Sequence, residues 1–382
     1  MTLDLLDKLP VAIVGGGIGG LATALAFHQR GISCRVFESA PRLDPVGAGI
    51  WLPSNAMQVL DRLGLAEAVE SAGVRLRRAE LKTAAGRPLI QVDFDAIRHQ
   101  FGWSTVSIDR FRLQAILAEA LPEGILQLGK RFAGLRLRGD AFELEFADGD
   151  HILASAVVGA DGLRSRVRQE LFPQARLRFA GQTCYRGVAN LAIDAIGREN
   201  WGRRRRFGFS PLADDRTYWF APVTSAADIP LEDAAVVRHR FRDFGKLEQS
   251  ILAATPGDQM LKSDLFDLRP LKRWNRGRII LLGDAAHAST PNLGQGGAQA
   301  LEDAATLAHC LGEQRTDPAS AFARYVRLRR PKAVSIVRRS RIIGRFAHLP
   351  GGLPQTLRDA LIAATPRAFA QAQFRALARL SF

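Results

Sequence analysis

Near its N-terminus the chain runs Val11-Ala12-Ile13-Val14 into Gly15-Gly16-Gly17-Ile18-Gly19-Gly20, then into the helix-forming stretch from Ala22 to Phe27. An apolar strand that turns on glycines straight into a helix commits this region to a βαβ unit, and so to a parallel sheet. Within Gly15-x-Gly17-x-x-Gly20 each glycine has its own task. Gly15 permits the tight turn, Gly17 lets backbone approach a pyrophosphate, and Gly20 lets helix and strand pack closely. Gly31 is a natural helix end, and Ser33 to Phe37 reads as the second strand. Glu38 follows at once, where an acid accepts hydrogen bonds from ribose hydroxyls, which suits FAD or NAD better than NADP. Phosphates would sit on the helix N-terminus, where free N–H groups and the helix dipole favour negative charge.

Two later apolar strands also end in glycine turns. Ala156-Val157-Val158-Gly159-Ala160 leads to Asp161-Gly162-Leu163-Arg164-Ser165, with Ser165 placed to cap the next helix; plain strand-to-helix punctuation is the other reading of this turn. Arg278 to Gly283 is a continuous apolar run of the kind buried in a parallel sheet. It continues into Asp284-Ala285-Ala286-His287, Pro291 and Gly294-Gln295-Gly296-Gly297. Asp284 can accept hydrogen bonds from sugar-alcohol hydroxyls, and the glycine loop feeding the helix at Ala298 offers N–H donors to a developing anion, such as the N1–C2=O edge of a reduced flavin. His287 reads as a support for this loop rather than as a base. A dinucleotide grip at one end and an Asp-bearing glycine loop at the other point to one long cofactor held from both sides, FAD.

Between these strands the pattern changes. Strand-like pieces such as Thr217-Tyr218-Trp219-Phe220 and Asp264-Leu265-Phe266-Asp267-Leu268 replace helical runs. The expected fold class is therefore α/β, a Rossmann-like FAD-binding domain with an inserted, mostly antiparallel β-sheet substrate domain and C-terminal helices. The FAD-binding domain is expected over residues 1–75, 105–175 and 275–345, the substrate domain over 76–104 and 176–274, and a helical tail over 346–382. Only one strand–GxGxxG–helix unit is present, so NAD(P)H is expected to bind transiently rather than in a domain of its own.

A net charge of +15 raises nucleic acid and membranes as partners. No helix-turn-helix, zinc-finger or RNA-recognition signature accompanies it. The reading is a solvated basic surface that draws in anionic cofactor and substrate, with no nucleic-acid partner. Arg203-Arg204-Arg205-Arg206 is a run of the kind usually solvated. The segment from Arg338 to Phe382 reads as an amphipathic helix pair packed on the protein's own core, with peripheral contact to anionic lipid as the alternative. No apolar run reaches ~20 residues, and Met1 to Pro10 is too short and acidic for a secretory signal. Cys34, Cys184 and Cys310 lie far apart without metal-type spacing, so no metal site and a reducing cytoplasm are expected.

The three motifs, in this order and at these separations, resemble the class A flavoprotein aromatic monooxygenases of the p-hydroxybenzoate hydroxylase fold group, from about Leu9 to Arg345. Gly47-Ala48-Gly49-Ile50, Pro53-x-Asn55-Ala56, Leu60-x-x-Leu63-Gly64-Leu65 and Thr290-Pro291-Asn292-Leu293-Gly294-Gln295-Gly296 are similar to the branch that hydroxylates salicylate, urate and alkylquinolones. The resemblance implies that Gly15, Gly17 and Gly20 hold the pyrophosphate and Glu38 the adenosine ribose. It puts Gly49 at the cofactor, and Arg110 near the phosphate and ribityl region with Asp284. Asp161 falls on the face that handles FAD and NAD(P)H, while Pro291, Gly294, Gln295, Gly296 and Gly297 border the isoalloxazine.

It also implies the reaction. NAD(P)H reduces the flavin, O₂ adds at C4a, and the hydroperoxide transfers one oxygen to an electron-rich small aromatic ring. Arg206 and Tyr218 match the arginine and tyrosine that urate-hydroxylating relatives present to substrate. Those relatives carry Asp after the motif proline, where this chain has Asn292, so the pattern leans to an alkylquinolone-like or phenolic substrate; Thr183-Cys184-Tyr185-Arg186 leans the same way. Other flavoenzymes on this fold, a reductase or a halogenase, are the alternatives. The halogenase Trp-x-Trp-x-Ile-Pro signature is absent, Trp219-Phe220-Ala221-Pro222 being the nearest approach. A non-enzymatic nucleic-acid or membrane protein is the third reading.

Overall fold

The structure is a computed structural model that describes residues 9–44 and 48–380; Gly47 of the quoted pattern and the first eight residues lie outside them. The strand Val11–Val14 is wholly buried and pairs in parallel with Ala156–Gly159 on one side and Cys34–Phe37 on the other. Ile279–Leu281 adds beyond Ala156–Gly159, and Leu126–Gln127 beyond Cys34–Phe37. A short antiparallel strand, Asn275–Arg276, completes a six-stranded sheet. Burial on both faces explains why these strands read as unbroken apolar runs rather than alternating ones.

The turn after Val14 needs its glycines for separate physical reasons. Gly15 has φ +110°, and a Cβ there would lie 2.5 Å from the Ala160 carbonyl oxygen. A Cβ on Gly20 would lie 1.9 Å from the Gly15 carbonyl oxygen, so only a bare backbone lets the helix Ile18–His28 start this close to the strand. That helix is buried nearly all round and packs against Gly296–Glu313, which brings the two glycine loops to one edge of the sheet.

The second sheet has seven strands in the order Leu261–Leu268, Leu177–Ala189, Arg216–Thr224, Arg206–Leu212, Ile196–Trp201, Arg78–Thr83, Pro88–Asp93. Every pairing is antiparallel except Ile196–Trp201 with Arg78–Thr83. Alternation sorts its side chains onto two faces. Tyr185, Phe207, Phe209, Trp219, Ala221 and Val223 face the helices Ala234–Arg240 and Lys246–Ala253, packing on Val237, Phe241, Ile251 and Leu252. Each of the large apolar side chains contributes on the order of 2–3 kcal/mol by leaving water. The register puts Cys184, Arg186 and Val188 on the other face, opposite Pro222, Phe220 and Tyr218, with Arg206, Gly208 and Ser210 beyond.

That second face meets the nucleotide-binding side. Ser107 Oγ donates to Ser210 Oγ at 2.8 Å, and a Cβ on Gly49 would lie 2.5 Å from Tyr218 Cγ. The long helix Pro318–Ala347 contains Pro331, which removes one internal hydrogen bond. Leu353–Ala363 and Arg367–Ala378 then return onto the sheet edge at Pro88–Asp93. Ala370 and Ala378 join Phe94 and Ile97 in a core, and Ile362 joins Leu89 and Trp201.

Candidate active site

The end expected to take adenosine is built from the first turn. Glu38 Oε2 accepts from Gly16 N at 2.7 Å and Oε1 from Ala40 N at 2.8 Å, which fixes the carboxylate at the end of the strand Cys34–Phe37. Gln114 Nε2 donates to Gly16 O at 2.7 Å and braces the same loop, a support absent from the sequence reading. Gly17 is extended (φ −76°, ψ −178°), and a Cβ there would meet no atom within 4 Å. Bare backbone in front of a helix N-terminus, with open space before it, is the shape a pyrophosphate requires.

The middle of the site joins the other two strand ends. Asp161 Oδ2 accepts from Arg166 N at 2.7 Å and Val167 N at 3.0 Å, while Oδ1 is buried without a protein partner. Burial pushes its carboxyl up, against the pull of the Ser165 hydroxyl and the neighbouring N–H groups. Ser165 caps the helix Arg166–Leu171 by accepting from Arg168 N at 2.8 Å. Arg168 donates to Leu163 O at 2.6 Å and Ala285 O at 3.1 Å, tying the Asp161 turn to the Asp284 turn. Sequence reasoning passed over Arg168, although it stands in the same basic motif.

Asp284 opens the short helix Asp284–His287 after Gly283, whose φ of +57° needs glycine. Its side chain is open to water, yet surrounding protein pushes its carboxyl up, opposed by His287, Arg110 and Arg168. Arg110 begins the helix Arg110–Glu119 with an exposed side chain, and its charge acts on both Asp284 and Tyr218. His287 Nε2 lies 2.6 Å from Asp303 Oδ2, which also accepts from Gly283 N at 2.9 Å. Burial works to raise the Asp303 carboxyl, but the charges of His287 and Arg329 outweigh it and hold it at about 2. His287 supports the loop.

In the loop itself, Pro291 is exposed, Gly294 is left-handed (φ +61°), and Gly296 has open space where a Cβ would be. Gly297 is held against Ile50, 2.8 Å from the position of a Cβ. Gln295 departs from the expected cofactor contact. Its side chain turns inward, where Oε1 accepts from Asn55 and Gln299, both at 3.1 Å. It is drawn there by a buried network in which Asn55 donates to Glu302 at 2.7 Å and Arg329 binds Asp303 at 2.8 Å. Only its backbone is left to face a ring.

On the sheet side the arginine run divides. Arg203 and Arg204 are exposed as a solvated run would be, but Arg206 is 1% exposed. Arg206 Nε donates to His348 Nε2 at 2.9 Å, Nη1 to Glu199 at 2.8 Å, and Nη2 to Asn292 Oδ1 at 2.6 Å. With all three nitrogens engaged, Arg206 braces the residue after Pro291, which differs from the expected direct substrate contact. Asn292 is likewise consumed: its Nδ2 donates to Thr290 Oγ1 at 2.9 Å and Ser340 O at 2.8 Å. Burial, then the charges of Arg206 and Arg358, hold His348 down at about 2, so it is a neutral acceptor for Arg206.

Tyr218 stacks on Gly49, and burial pushes its phenol up to about 12 against the pull of Arg186 and Arg110. Arg186 stands beside it on the same face. Its Nη2 donates to Ser263 Oγ at 2.8 Å, while Nε is buried with no hydrogen-bond partner. The sequence offered Arg186 only as part of a pattern; strand alternation against Val188 and Tyr218 is the signal for its direction. Among the described residues no cluster of His, Cys, Asp or Glu is arranged to hold a metal, and Cys34, Cys184 and Cys310 are buried free thiols.

A gap before the helix N-terminus at Gly17, acids at the strand ends Glu38 and Asp284, and the N-terminus of the helix Gly296–Glu313 beside the Pro291 loop fit an extended FAD. The model of the FAD binding domain family matches residues 8–340. The chain is 36% identical over 360 residues to the aurachin C monooxygenase/isomerase of Stigmatella aurantiaca, covering 93% of this chain and 94% of that one. It is 32% identical over 370 residues to the 2-heptyl-3-hydroxy-4(1H)-quinolone synthase of Pseudomonas aeruginosa, covering 94% and 95%. Among solved structures, HpxO of Klebsiella pneumoniae with FAD and uric acid superposes with a TM-score of 0.90 at 25% identity, over 99% of this chain and 98% of that one. The chain belongs to this FAD-binding family of flavoprotein monooxygenases. It is an enzyme, an FAD-dependent monooxygenase with NAD(P)H as electron donor.

Proposed function

We propose that the enzyme hydroxylates an aromatic or N-heteroaromatic ring that carries an ionisable ring oxygen next to an apolar portion. The observation that carries this reading is Arg186: a half-buried guanidinium whose buried Nε has no hydrogen-bond partner, on the same sheet face as Tyr218, which packs on Gly49, and Arg206, which holds the Pro291 loop. A buried donor left unmade is costly, by about 1–3 kcal/mol, so a site that keeps one gains by offering it to a ligand oxygen.

Bound flavin supplies reduction by NAD(P)H and activation of O₂, chemistry no side chain provides. The residues do the rest. The Arg186 guanidinium donates to the substrate oxygen and favours its ionised form, which makes the ring electron-rich at the carbon attacked. Tyr218 keeps its proton at neutral pH because its phenol lies at about 12, so it acts as a neutral polar wall or donor, not as a base. Phe220, Val188 and Leu212 line the same face and suit the apolar portion. Arg206 and Asn292 hold the Pro291 loop in place; they position rather than touch substrate.

The test is a panel of hydroxylated aromatics and quinolones, scored by substrate-dependent NAD(P)H oxidation and a mass gain of one oxygen. R186Q should keep its flavin yet lose about 10²-fold or more in kcat/KM, the scale for removing one aimed donor. Undiminished turnover by R186Q, or preference for rings without an ionisable oxygen, would overturn the reading.

A further inference from the structure

The outer face of the C-terminal helices carries a feature the catalytic site does not use. On the helix Leu353–Ala363, Leu353, Leu357 and Leu361 are 71%, 54% and 65% exposed. Their spacing of four residues sets them in one stripe, while Arg358, Asp359 and Ile362 on the opposite side are buried. Phe369 on the following helix is 58% exposed. Singly exposed leucines are ordinary, but an aligned stripe that the described residues leave uncovered is not.

Charge says what covers it. From Ala333 to Phe382 the chain has eight arginines and one acid, Asp359. That acid is buried and bonded by Arg358 at 2.7 Å, so it offers no free carboxylate to the face. The exposed Arg203 packs at the start of the stripe: a Cβ on Gly351 would lie 2.6 Å from Arg203 Cδ. Arg204, also exposed, donates its backbone N–H to Leu349 O and is held at φ +54°, a conformation that side chains other than glycine rarely adopt. The turn at Arg203 and Arg204 thus sets two arginines beside the leucines, with exposed Arg367 and Arg375 on the next helix and Arg379 just past its end adding to them.

We infer that this face docks the enzyme on an anionic phospholipid surface, with the leucine stripe entering the interface and the arginines meeting the headgroups. Among the described residues no helix is long and apolar enough to cross a membrane, so the contact is peripheral. The docked face adjoins the substrate wall, because Arg203 and Arg206 belong to one short segment and Arg206 reaches Asn292. The inference stands on exposure and charge and does not depend on the substrate reading.

The experiment is cosedimentation of the full-length, flavin-loaded enzyme with vesicles of phosphatidylcholine alone and of phosphatidylcholine mixed with phosphatidylglycerol. Binding to the anionic vesicles, weakening as salt rises, is the expected result. R203Q/R204Q and L353Q/L357Q/L361Q should each weaken it by about tenfold or more, with flavin content and circular dichroism unchanged because all five side chains are exposed. No binding to anionic vesicles, or equal binding to neutral ones, would overturn the inference. So would a concentration-dependent dimer, measured by light scattering, that the leucine variant abolishes, since the stripe would then be a subunit interface.

Discussion

Gly17 separates the demands of the fold from those of the cofactor, and G17V exploits this. At this position φ is −76° and ψ −178°, a conformation valine adopts freely, and no atom lies within 4 Å of a Cβ. The loss of a glycine at the helix N-cap costs up to about 1 kcal/mol, and a less flexible unfolded chain returns ~0.4–1 kcal/mol. Apoprotein stability should therefore stay within about 1 kcal/mol of wild type. The pyrophosphate, in contrast, would be pushed off the helix N-terminus. Losing two N–H bonds to a charged group at ~1.5–3 kcal/mol each gives about 3–6 kcal/mol, or roughly 10²–10⁴-fold in FAD affinity. Urea melts of the two apoproteins and titration of each with FAD by flavin fluorescence quenching measure both quantities. Wild-type FAD affinity would refute the placement of the pyrophosphate. An apoprotein destabilised by several kcal/mol would refute the claim that the space at Gly17 is free. G20A supplies the contrast: its Cβ lies 1.9 Å from Gly15 O, so the fold itself should fail.

Further outcomes follow from the sheet side. G344A puts a Cβ 2.4 Å from Asn292 Nδ2 and should displace the Pro291 loop, lowering kcat several-fold while FAD affinity holds; equal loss of both would place the fault elsewhere. His348 is neutral in the fold down to about pH 2 but takes a proton near 6.5 when unfolded, so its stabilising effect is present above pH 6.5 and lost below it. The slope is about 1.4 kcal/mol per pH unit, and melts of wild type and H348Q between pH 7 and 5 should diverge, the variant falling less. Tyr218, raised to about 12, makes the opposite contribution: stability is intact below pH 10 and lost as pH climbs from 10 toward 12, a loss that Y218F should lessen.

The glycine turn was legible because its constraint is local. A φ of +110° at Gly15 and a contact of 1.9 Å at Gly20 can be met by one residue type alone, so the sequence displays them directly. The strand ends at Glu38, Asp161 and Asp284 were legible for a related reason, since each closes an apolar run of its own. Arg206 was not. Its environment is made by His348, 142 residues onward, and by Asn292, 86 residues onward, and a run of four arginines carries no trace of either. The inward turn of the Gln295 side chain was hidden for the same reason, because it is drawn in by Asn55 from a distant helix and by Gln299. The unpartnered Nε of Arg186 depends on which face of a strand is covered, and only the assembled sheet decides that.

The network behind the flavin loop also bears on how the molecule is made. Asn55 bonds Gln295 and Glu302 across 240 and 247 residues, and Arg329 closes the same cluster from the long C-terminal helix. Lys332 then bonds Glu302 and the carbonyl of Arg379. A ribosome delivers the dinucleotide fingerprint long before these closing residues. The βαβ unit must wait, its glycine turn formed but its far wall missing, until Arg329 and Arg379 have emerged. Contacts of such span make folding slow and leave apolar strand edges open meanwhile. A cofactor that spans both glycine turns can be held at its two ends only once that wall is in place.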